Sequence, residues 1–344
     1  MNSLMYKYLI FICCMLNLSF LSCQSKKHLS IEWQPSVNAP KLYPAFVYSG
    51  DFMCGDKFSS LPTDGFLNNS WGETGLTMGS GDFVPDSLSI IWFSVVENKF
   101  FKGEFQLPTD TMQALFNEGV MASYGILEPY NRLIVNMAPG GMVVLWMMAA
   151  NERKVEIGRY QASETEVEWK EVMPDGEQDR NKYVKDALAE FPEIVKIVKE
   201  KSIQFGLFDS YRIRYPWKPI LILSEGDETE GIGVKFYNGE CDYMWGEGLK
   251  KNFFTQKALP RTMYFRWHDK DGKLFGADVD FDEKEVFEAY KKMYKKDKEQ
   301  ETDLVFIPDK DYNKLNVYLR NKTEEIWLRK TDTGIYPRTP SQLK

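Results

Sequence analysis

The chain has 344 residues, of which 43% are hydrophobic and 15% are aromatic, so it can bury a substantial core in one large domain or two smaller ones. Its 50 acidic and 43 basic side chains give a formal net charge of −7, which argues against nucleic acid as a partner. The sequence holds only two histidines, and this leaves few candidates for a histidine-activated nucleophile or a zinc site.

The N-terminus has the pattern of a bacterial export signal. Lys7 precedes an apolar run over residues 9–21, which is too short to cross the ~30 Å hydrocarbon core of a bilayer as a helix. The run ends in "FLSC", which resembles the cleavage box of bacterial lipoproteins. Residues 1–22 are therefore predicted to be a lipoprotein signal peptide, and Cys23 is predicted to carry the lipid. An uncleaved anchor or an ordinary signal peptide is the alternative.

The expected location follows from a lipidated Cys23. Acyl chains such as palmitate on this residue would anchor the protein to a bacterial membrane, and the expected position is the periplasmic face of the outer membrane. Residues 23–39 would then form the lipidated N-terminus and a tether. The basic segment "QSKKH" either lies near anionic headgroups or is a solvated linker.

Residues 40–150 are predicted to form a first module of sheet and helix. An apolar strand over 90–96 leads through a polar turn to a strand over 101–107, in which every second residue is apolar. This alternation predicts an antiparallel hairpin with one buried face. A helix that ends near Gly119 follows, and "NRLIVNMAPGGMVVLWM" predicts a second hairpin that turns at its Pro-Gly pair.

Residues 151–211 are predicted to form a charged connector. Its segment "DRNKYVKDALAEFPEIVKIVKEKS" has apolar residues at helical spacing, with Pro192 as an interruption. Because a structureless loop of this length is uncommon in a compact domain, the connector is predicted to be partly helical and packed against its neighbours.

A second module is predicted over residues 212–330, followed by a C-terminal tail over 331–344. A strand over 263–267 and an alternating strand over 275–281 should form a hairpin, and Asp282 is placed to cap the next helix. "NKLNVYLRNKTEEIWLR" predicts a closing hairpin that turns at its Asn-Lys pair. The buried stripe of the helix is predicted to be Val286, Ala289, Tyr290 and Met293.

The two modules are interpreted as copies of one another. The triplet Trp-Gly-Glu occurs at Trp71-Gly72-Glu73 and again, 174 residues (245 − 71) later, at Trp245-Gly246-Glu247. Each triplet is followed by hairpin, helix and hairpin, and the strand over 133–137 aligns with the strand over 315–319. The predicted fold class is α+β, with two tandem related modules of strand, β-hairpin, helix and β-hairpin. The sheets are expected to be mostly antiparallel, with helices packed on one face.

Glu73 and Glu247 are the acidic residues that this repetition singles out. Two carboxylates brought together could serve as a general acid and a general base. The alternative is structural, since in each triplet the Trp would anchor the edge of the core and the Gly would permit a bend, while the Glu faces water or caps a neighbouring element. No catalytic residue is assigned.

Cys54 and Cys241 are the other cysteines of the mature chain. An oxidising envelope would permit a disulfide between them that links the modules, and two separate buried thiols are the alternative. The acidic strand face at Asp278, Asp280 and Asp282 is better explained as solvated surface than as a metal site. No metal and no cofactor are predicted.

Three segments carry a family resemblance. "PDSLSIIWFSVVENKFFKGEFQLP", "APGGMVVLW" and "WGETG" resemble the bacterial family called domain of unknown function 2931. The similarity is expected to extend over nearly the whole mature chain, more loosely in the second module. Members of that family look like exported lipoproteins, in agreement with Cys23. The family has no established activity or catalytic residues, so the resemblance implies none here.

The expected function is binding. A lipid-anchored protein with few catalytic side chains would present a surface to another envelope protein or to a ligand, and an inhibitor or immunity role against a toxic enzyme is one form of this. The rival is a glycan- or lipid-directed hydrolase that uses acidic residues such as Glu73 and Glu247. A passive envelope component is a third possibility. The expected partners are the membrane, through the lipid anchor, and an envelope protein.

Overall fold

The structure is a computed structural model that describes residues 30–63, 65–122, 126–150 and 152–339. The predicted signal peptide and Cys23 lie outside the described residues. Within these ranges, no helix is long and apolar enough to cross a membrane. The protein is mostly sheet, with 45% strand and 17% helix in several antiparallel sheets. The predicted predominance of antiparallel sheet is therefore confirmed.

The elements follow one another in two strand-rich halves separated by helices. The strands of the first half are β1 (Gln34–Asn38), β2 (Ala45–Cys54), β3 (Lys57–Ser60), β4 (Leu76–Thr77), β5 (Ser87–Ser94), β6 (Lys99–Gln106), β7 (Val120–Met121), β8 (Leu127–Glu128), β9 (Tyr130–Ala138), β10 (Met142–Ala149), β11 (Lys154–Gln161) and β12 (Ser163–Thr165). Those of the second half are β13 (Tyr215–Leu221), β14 (Glu228–Phe236), β15 (Cys241–Trp245), β16 (Thr255–Lys257), β17 (Pro260–His268), β18 (Leu274–Asp280), β19 (Thr302–Pro308), β20 (Leu315–Arg320), β21 (Glu325–Trp327) and β22 (Asp332–Pro337). The helices are α1 (Thr109–Glu118), α2 (Trp169–Val172), α3 (Arg180–Leu188), α4 (Pro192–Glu200), α5 (Leu207–Ser210) and α6 (Glu283–Met293), with a 3₁₀ helix at Gly246–Lys251.

A ten-stranded sheet runs through both halves in the order β22-β18-β17-β14-β15-β11-β10-β9-β1-β4. The first half adds a five-stranded sheet, β12-β6-β5-β2-β3, and the second half adds another, β16-β13-β19-β20-β21. The short strands β7 and β8 pair separately. The halves meet within the large sheet, where β11 pairs with β15 at Lys154 and Cys241.

The strands pair in the same order in both halves. In the first half β1 is parallel to β9, which continues through antiparallel β10 and β11. In the second half β13 is parallel to β19, which continues through antiparallel β20 and β21. The neighbours β3-β2-β5-β6 likewise have a counterpart in β15-β14-β17-β18.

One strand alignment expected from the sequence is wrong. Residues 133–137 lie in β9, which pairs in parallel with β1. In the second half the strand that pairs in parallel, with β13, is β19 and not β20, the strand that contains residues 315–319. Both β19 and β20 are apolar strands, so hydrophobic period alone does not distinguish them. The predicted hairpin that turns at Asn321 does form, between β20 and β21.

The first predicted hairpin is confirmed. Strands β5 and β6 pair antiparallel along their full length. On β6, Phe101 and Gly103 are buried whereas Lys102 and Glu104 are exposed, as the alternation of the sequence predicts. Helix α1 follows and ends before Gly119. The φ of Gly119 is 60°, a left-handed conformation that glycine adopts readily.

Strands β9 and β10 are buried on both faces. Leu133 and Val135 pack in a core confined to the first half, whereas Ile134 and Trp146 pack in a larger core that extends through the connector into the second half. Strands covered on both sides select apolar residues at every position. This is why "LIV" and "MVVLWM" are continuous apolar runs rather than alternating ones.

The segment predicted to be a connector, residues 151–211, begins with strands β11 and β12 and then folds into helices α2 to α5. The Asp179 side chain caps α3 by accepting hydrogen bonds from two backbone N–H groups. Pro192 is at the start of α4, where a backbone N–H has no partner within the helix, so the proline costs no hydrogen bond. Trp169 of α2 contacts Phe93 with 5.4 Å between ring centroids. The connector therefore covers one face of the five-stranded sheet of the first half.

Helix α6 confirms the predicted cap and stripe. The Asp282 side chain accepts the N–H of Glu285 at 2.8 Å, which satisfies one of the free donors in the first turn. The acidic first turn and the basic last turn also complement the helix dipole. The buried residues of the helix are Val286, Ala289, Tyr290 and Met293.

The two Trp-Gly-Glu triplets lie in corresponding connections but in different surroundings. The first lies between β3 and β4, and the second spans the end of β15 and the 3₁₀ helix before β16. Trp71 is buried, whereas Trp245 is half-buried. Gly72 packs backbone to backbone on Gly239 in the turn between β14 and β15, where a Cβ on Gly239 would lie 2.8 Å from the Gly72 Cα. A Cβ on Gly246 would meet nothing within 4 Å.

The two triplet glycines should therefore respond differently to the same substitution. Both have positive φ, which costs a non-glycine residue about 1–2 kcal/mol. Gly72→Ala adds a clash with Gly239 and should lower the free energy of unfolding by about 2–5 kcal/mol, whereas Gly246→Ala should stay near the conformational cost alone. Urea unfolding of both variants measures the difference, and equal losses would contradict this account of the contact.

Candidate functional site

Glu73 lies in a cluster of charges between the two halves. Its carboxylate accepts Arg261 Nη2 at 3.1 Å and lies 3.6 Å from Lys154 Nζ. The side chain of Lys154 is only 5% exposed, and its ammonium also donates to the backbone carbonyl of Gly72. Asn136 completes the support of this loop by accepting the Gly72 N–H at 2.8 Å. The first triplet is therefore fixed in place by two strands of the large sheet, β9 and β11.

The neighbouring cations set the charge state of Glu73. Burial by itself raises the pKa of this carboxyl, but Lys154, Lys235 and Arg261 together outweigh burial and hold the pKa below its ordinary value. Burial is also the largest effect on Lys154 and lowers its pKa, and Glu73 partly opposes it. The carboxylate thus serves as the counter-ion of a buried cation.

Glu247 has no comparable environment. Its side chain is 86% exposed, and it forms an ion pair with Lys250 at 2.6 Å, three residues along the 3₁₀ helix. It lines a cavity of about 450 Å³ that Glu73 does not line. The structure therefore does not bring Glu73 and Glu247 together as an acid–base pair, although their triplets occupy corresponding connections.

Lys257 is the most perturbed cation of the Glu247 cavity. Burial lowers its pKa to about 8. Its ammonium is fully engaged, because it donates to the carbonyls of Trp217 and Phe253 at 2.8 Å and 3.0 Å and to the Thr255 hydroxyl. These bonds hold the loop after the 3₁₀ helix.

Cys54 and Cys241 are both free thiols in the structure, so the disulfide considered from the sequence is not formed. The reason is their placement: Cys54 ends β2 in the five-stranded sheet of the first half, and Cys241 begins β15 in the large sheet. Cys241 is buried, and burial raises its pKa to about 11. A thiol with that pKa is protonated and unreactive at neutral pH.

A second cavity, of about 560 Å³, has the character of a ligand site. Small-molecule sites typically enclose roughly 300–1,000 Å³ and are lined by aromatic side chains with a few polar groups. This cavity lies where the first triplet, the connector and the second half meet. Its aromatic lining consists of Tyr43, Trp71, Phe208, Tyr211 and Tyr237.

The rings of this cavity contact one another in a continuous chain. Trp71 and Phe208 lie 4.4 Å apart between centroids, Phe208 contacts Tyr211 at 5.8 Å, and Tyr211 contacts Tyr237 at 5.4 Å. The members come from the first half, from α5 and the residue that follows it, and from the second half. Their mutual packing fixes the ring orientations before any ligand arrives, which lowers the entropic cost of binding.

Charged groups lie at the same cavity wall. Arg261 lines the cavity and also binds Glu73, and Glu283 accepts the Tyr211 hydroxyl at 2.9 Å. Trp71 Nε1 is buried and has no hydrogen-bond partner among the described residues. A buried indole N–H normally finds an acceptor. The cavity is thus lined by aromatic rings, a cation and a carboxylate, whereas the unpartnered Trp71 N–H is enclosed by protein.

Sequence reasoning found one side of this cavity and missed the other. Trp71 was singled out by its triplet, but Phe208 and Tyr211 lie in a connector that was interpreted only as packing. Tyr237 follows β14, and Arg261 lies in β17, whose hairpin with β18 was predicted but whose place beside a cavity was not. In the described part of the chain, no cluster of three or more His, Cys, Asp or Glu side chains could hold a metal ion.

Comparison with known proteins gives one match. The model of a family described as "Protein of unknown function (DUF2931)" matches residues 22–206, which is more than half of the chain and comprises the first half with most of the connector. The second half, expected to match loosely, lies outside the matched residues. No curated protein and no solved structure matches the chain. The chain belongs to the DUF2931 family.

Proposed function

We propose that this protein is a non-catalytic binding protein of the bacterial envelope and that its ligand occupies the aromatic cavity beside the first Trp-Gly-Glu triplet. The observation that carries the proposal is the chain of contacting rings from Trp71 to Tyr237 that lines a cavity of about 560 Å³, with Arg261 and Glu283 at its wall. Rings and a few fixed polar groups suit a compact ligand, or the tip of a partner protein, with an apolar face and a hydrogen-bond acceptor. An inhibitor or immunity role is one form that such binding takes.

The hydrolase alternative has little support from the carboxylates. A general acid must release and recover a proton near neutral pH, so enzymes raise the pKa of that carboxyl. The pKa of Glu73 is instead lowered, and its oxygens face Arg261 and Lys154. Glu247 is exposed to solvent and lines a different cavity.

The proposed location is the periplasmic face of the outer membrane, with Cys23 as the lipidated residue. Its support comes from the sequence, in which a short apolar run ends at "FLSC". The predicted tether over residues 23–39 is shorter than expected, because residues 34–38 form β1 of the large sheet.

The two halves are, in this proposal, copies of one module of strand, hairpin, helix and hairpin. The repeated strand order, including one parallel pair in each half, supports this interpretation. The connector is then the addition that closes the cavity between the copies. This arrangement explains why the cavity has lining residues from both halves and from the connector.

Replacing Glu73 should affect stability. Glu73→Gln keeps the side chain's shape but leaves the buried Lys154 without its nearby counter-ion, and it should lower the free energy of unfolding by about 1–3 kcal/mol. Glu247→Gln is the matched control, because an exposed position should change stability by no more than about 0.5 kcal/mol. Chemical unfolding measures both, and a Glu73→Gln variant as stable as the wild type would refute the structural role.

The ion pair of Glu73 with Lys154 predicts that the stability of the protein depends on pH. The folded pKa of Glu73 lies below that of the unfolded chain, so its contribution to stability is complete above about pH 4.3 and is lost as the pH falls through the folded pKa. The stability difference between the wild type and Glu73→Gln should therefore be constant near neutral pH and shrink below about pH 4. A difference that grows on acidification would mean that the pKa of Glu73 is raised.

Photo-crosslinking from the rim of the cavity tests the binding proposal directly. Gln204 lines the cavity and is exposed, so a benzophenone amino acid placed there should capture whatever occupies the cavity in the living envelope. The matched control carries the same group at Lys322, an exposed position in the turn between β20 and β21 that does not line the cavity. Both variants retain Cys23.

The mass of the captured species identifies its class. An adduct of small mass on the Gln204 variant alone would establish a small ligand, and a single protein adduct would establish a protein partner. Both results support binding in the cavity. No adduct at Gln204, or the same adduct at both positions, would overturn it and return attention to turnover of envelope glycans or lipids.

A further inference from the structure

The described chain enters the fold at one end of the first half. Trp33 pairs with Gly81 just before β1, and its ring contacts Phe52, near the end of β2, with 5.2 Å between ring centroids. Strand β1 then runs parallel to β9, with its first residue, Gln34, beside Arg132 near the start of β9. The entry point therefore lies where β1 and β9 begin and where β2 ends.

A cavity of about 780 Å³ adjoins this entry point. Its lining includes Glu32 and Trp33 of the entering chain, Asn131 of β9 and Phe58 of β3. Phe58 is 69% exposed, whereas the next residue of the strand, Ser59, is buried. Because side chains alternate along a strand, Phe58 points outward beside the entering chain.

The hairpin of β7 and β8 reaches the same end of the first half, because only Pro129 separates β8 from β9. Met121 and Leu127 lie opposite each other on the two strands, so their side chains share one face of the hairpin. Met121 and Ile126 are each 60% exposed and Leu127 is 38% exposed, whereas Val120 is buried. The hairpin is therefore fixed to the protein on one side and presents apolar side chains to solvent on the other.

We call Phe58, Met121, Ile126 and Leu127 the apolar rim. A single exposed apolar side chain is ordinary in a soluble protein. Four large ones at the end of the molecule where the chain enters are a group of the kind that marks a surface of interaction.

Charge does not attract an anionic partner to the apolar rim. The charged residues that line the adjoining cavity are Glu32, Asp56, Lys57 and Asp82. Lys57 and Asp82 form an ion pair at 3.1 Å, which leaves an acidic excess. Beside Met121, Arg153 is paired with Asp242 at 3.3 Å. An occupant of the apolar rim is therefore held by apolar contact and not by opposite charge.

The chain before the entry point indicates the occupant. Cys23, the proposed lipidated residue, precedes Ile31 by eight residues (31 − 23), which span at most about 29 Å when fully extended. A lipid on Cys23 would hold the entry point, and the apolar rim with it, within that distance of the bilayer. Apolar side chains held so close to a membrane leave water by entering the boundary between headgroups and acyl chains.

We infer that the apolar rim docks on the surface of a neutral phospholipid bilayer, an inference that rests on the proposed anchor at Cys23. Phe58, Ile126 and Leu127 would enter the headgroup region. Docking would also set the orientation of the aromatic cavity. Tyr43 of that cavity precedes β2, whereas the apolar rim lies where β2 ends, and the ten residues of β2 span about 33 Å. The aromatic cavity would thus lie away from the membrane, toward soluble partners.

The test measures co-sedimentation with vesicles of phosphatidylcholine and phosphatidylethanolamine. The protein is the chain from residue 23 onward with Cys23→Ser, so that no lipid contributes to binding. This chain should bind the vesicles. Phe58→Asp and Ile126→Asp should each weaken binding by at least about tenfold, because each removes a buried apolar side chain and would place a carboxylate in the headgroup region.

Ile213 provides the matched control. It is 49% exposed and follows α5, whose residues line the aromatic cavity and not the cavity at the entry point. Ile213→Asp should bind vesicles like the parent chain. All three substitutions are at exposed positions, so urea unfolding should show nearly unchanged stability.

Absence of vesicle binding by the parent chain, unchanged binding in Ile126→Asp, or equal loss in Ile213→Asp would each overturn the inference. So would a dimer of the parent chain that Ile126→Asp dissociates, because a second copy would then cover the apolar rim. Incorporation of labelled palmitate at Cys23 in the living host tests the anchor separately. A chain without label would refute the proposed anchor, whereas loss of vesicle binding refutes the docking surface alone.

Discussion

The close backbone contact between Gly72 and Gly239 is the constraint on which the rest of this structure depends. Neither residue has room for a side chain at that point, so the loop of the first half and the turn between β14 and β15 approach as bare backbone. Such an approach leaves the carbonyl of Gly72 pointing into the protein, where it needs a donor. The buried ammonium of Lys154 is that donor. A buried ammonium in turn needs a counter-ion, and Glu73 is the nearby carboxylate. Gly72 and Glu73 of the triplet thus meet two physical requirements of one contact, and Lys154 meets the requirement between them.

The same contact positions the aromatic cavity. Trp71 precedes Gly72, so fixing the backbone there fixes its indole between Trp146 and Phe208, with centroid distances of 5.2 Å and 4.4 Å. Arg261 binds the carboxylate of Glu73 and also lines the cavity. The charged cluster and the aromatic chain are therefore one assembly, in which ion pairs hold the walls of the cavity. This is why the carboxylate, although half-buried beside a cavity, is better explained as support than as chemistry.

The sequence patterns predicted the turns, hairpins and helix caps that neighbouring residues determine. They did not predict which distant strands pair. The hairpin of β5 and β6, the turn before Gly140, the cap at Asp282 and the stripe of α6 all follow from residues within a few positions of one another. The parallel partner of β9 is β1, about a hundred positions earlier in the chain, and no hydrophobic period encodes that choice. The cavity was missed for the same reason, because its rings come from segments that only the fold brings together. Glu73 was found from its triplet, but the Arg261 and Lys154 that decide its role were not.

The two triplets show that a short motif does not determine its own role. Trp71 and Trp245 follow corresponding strands, yet one indole is enclosed by the core and the other lies on an open sheet face over Gly231. The two indoles differ in burial because the loops that carry them contact different parts of the protein. The first is covered by the β14–β15 turn and by the connector, whereas the part of the chain that the structure describes leaves the second uncovered. The glycines beneath the neighbouring rings, Gly233 and Gly276, leave the space that those rings fill, and this packing offsets their conformational cost in mid-strand. The role of each indole is therefore set by its neighbours in the fold rather than by the triplet that contains it.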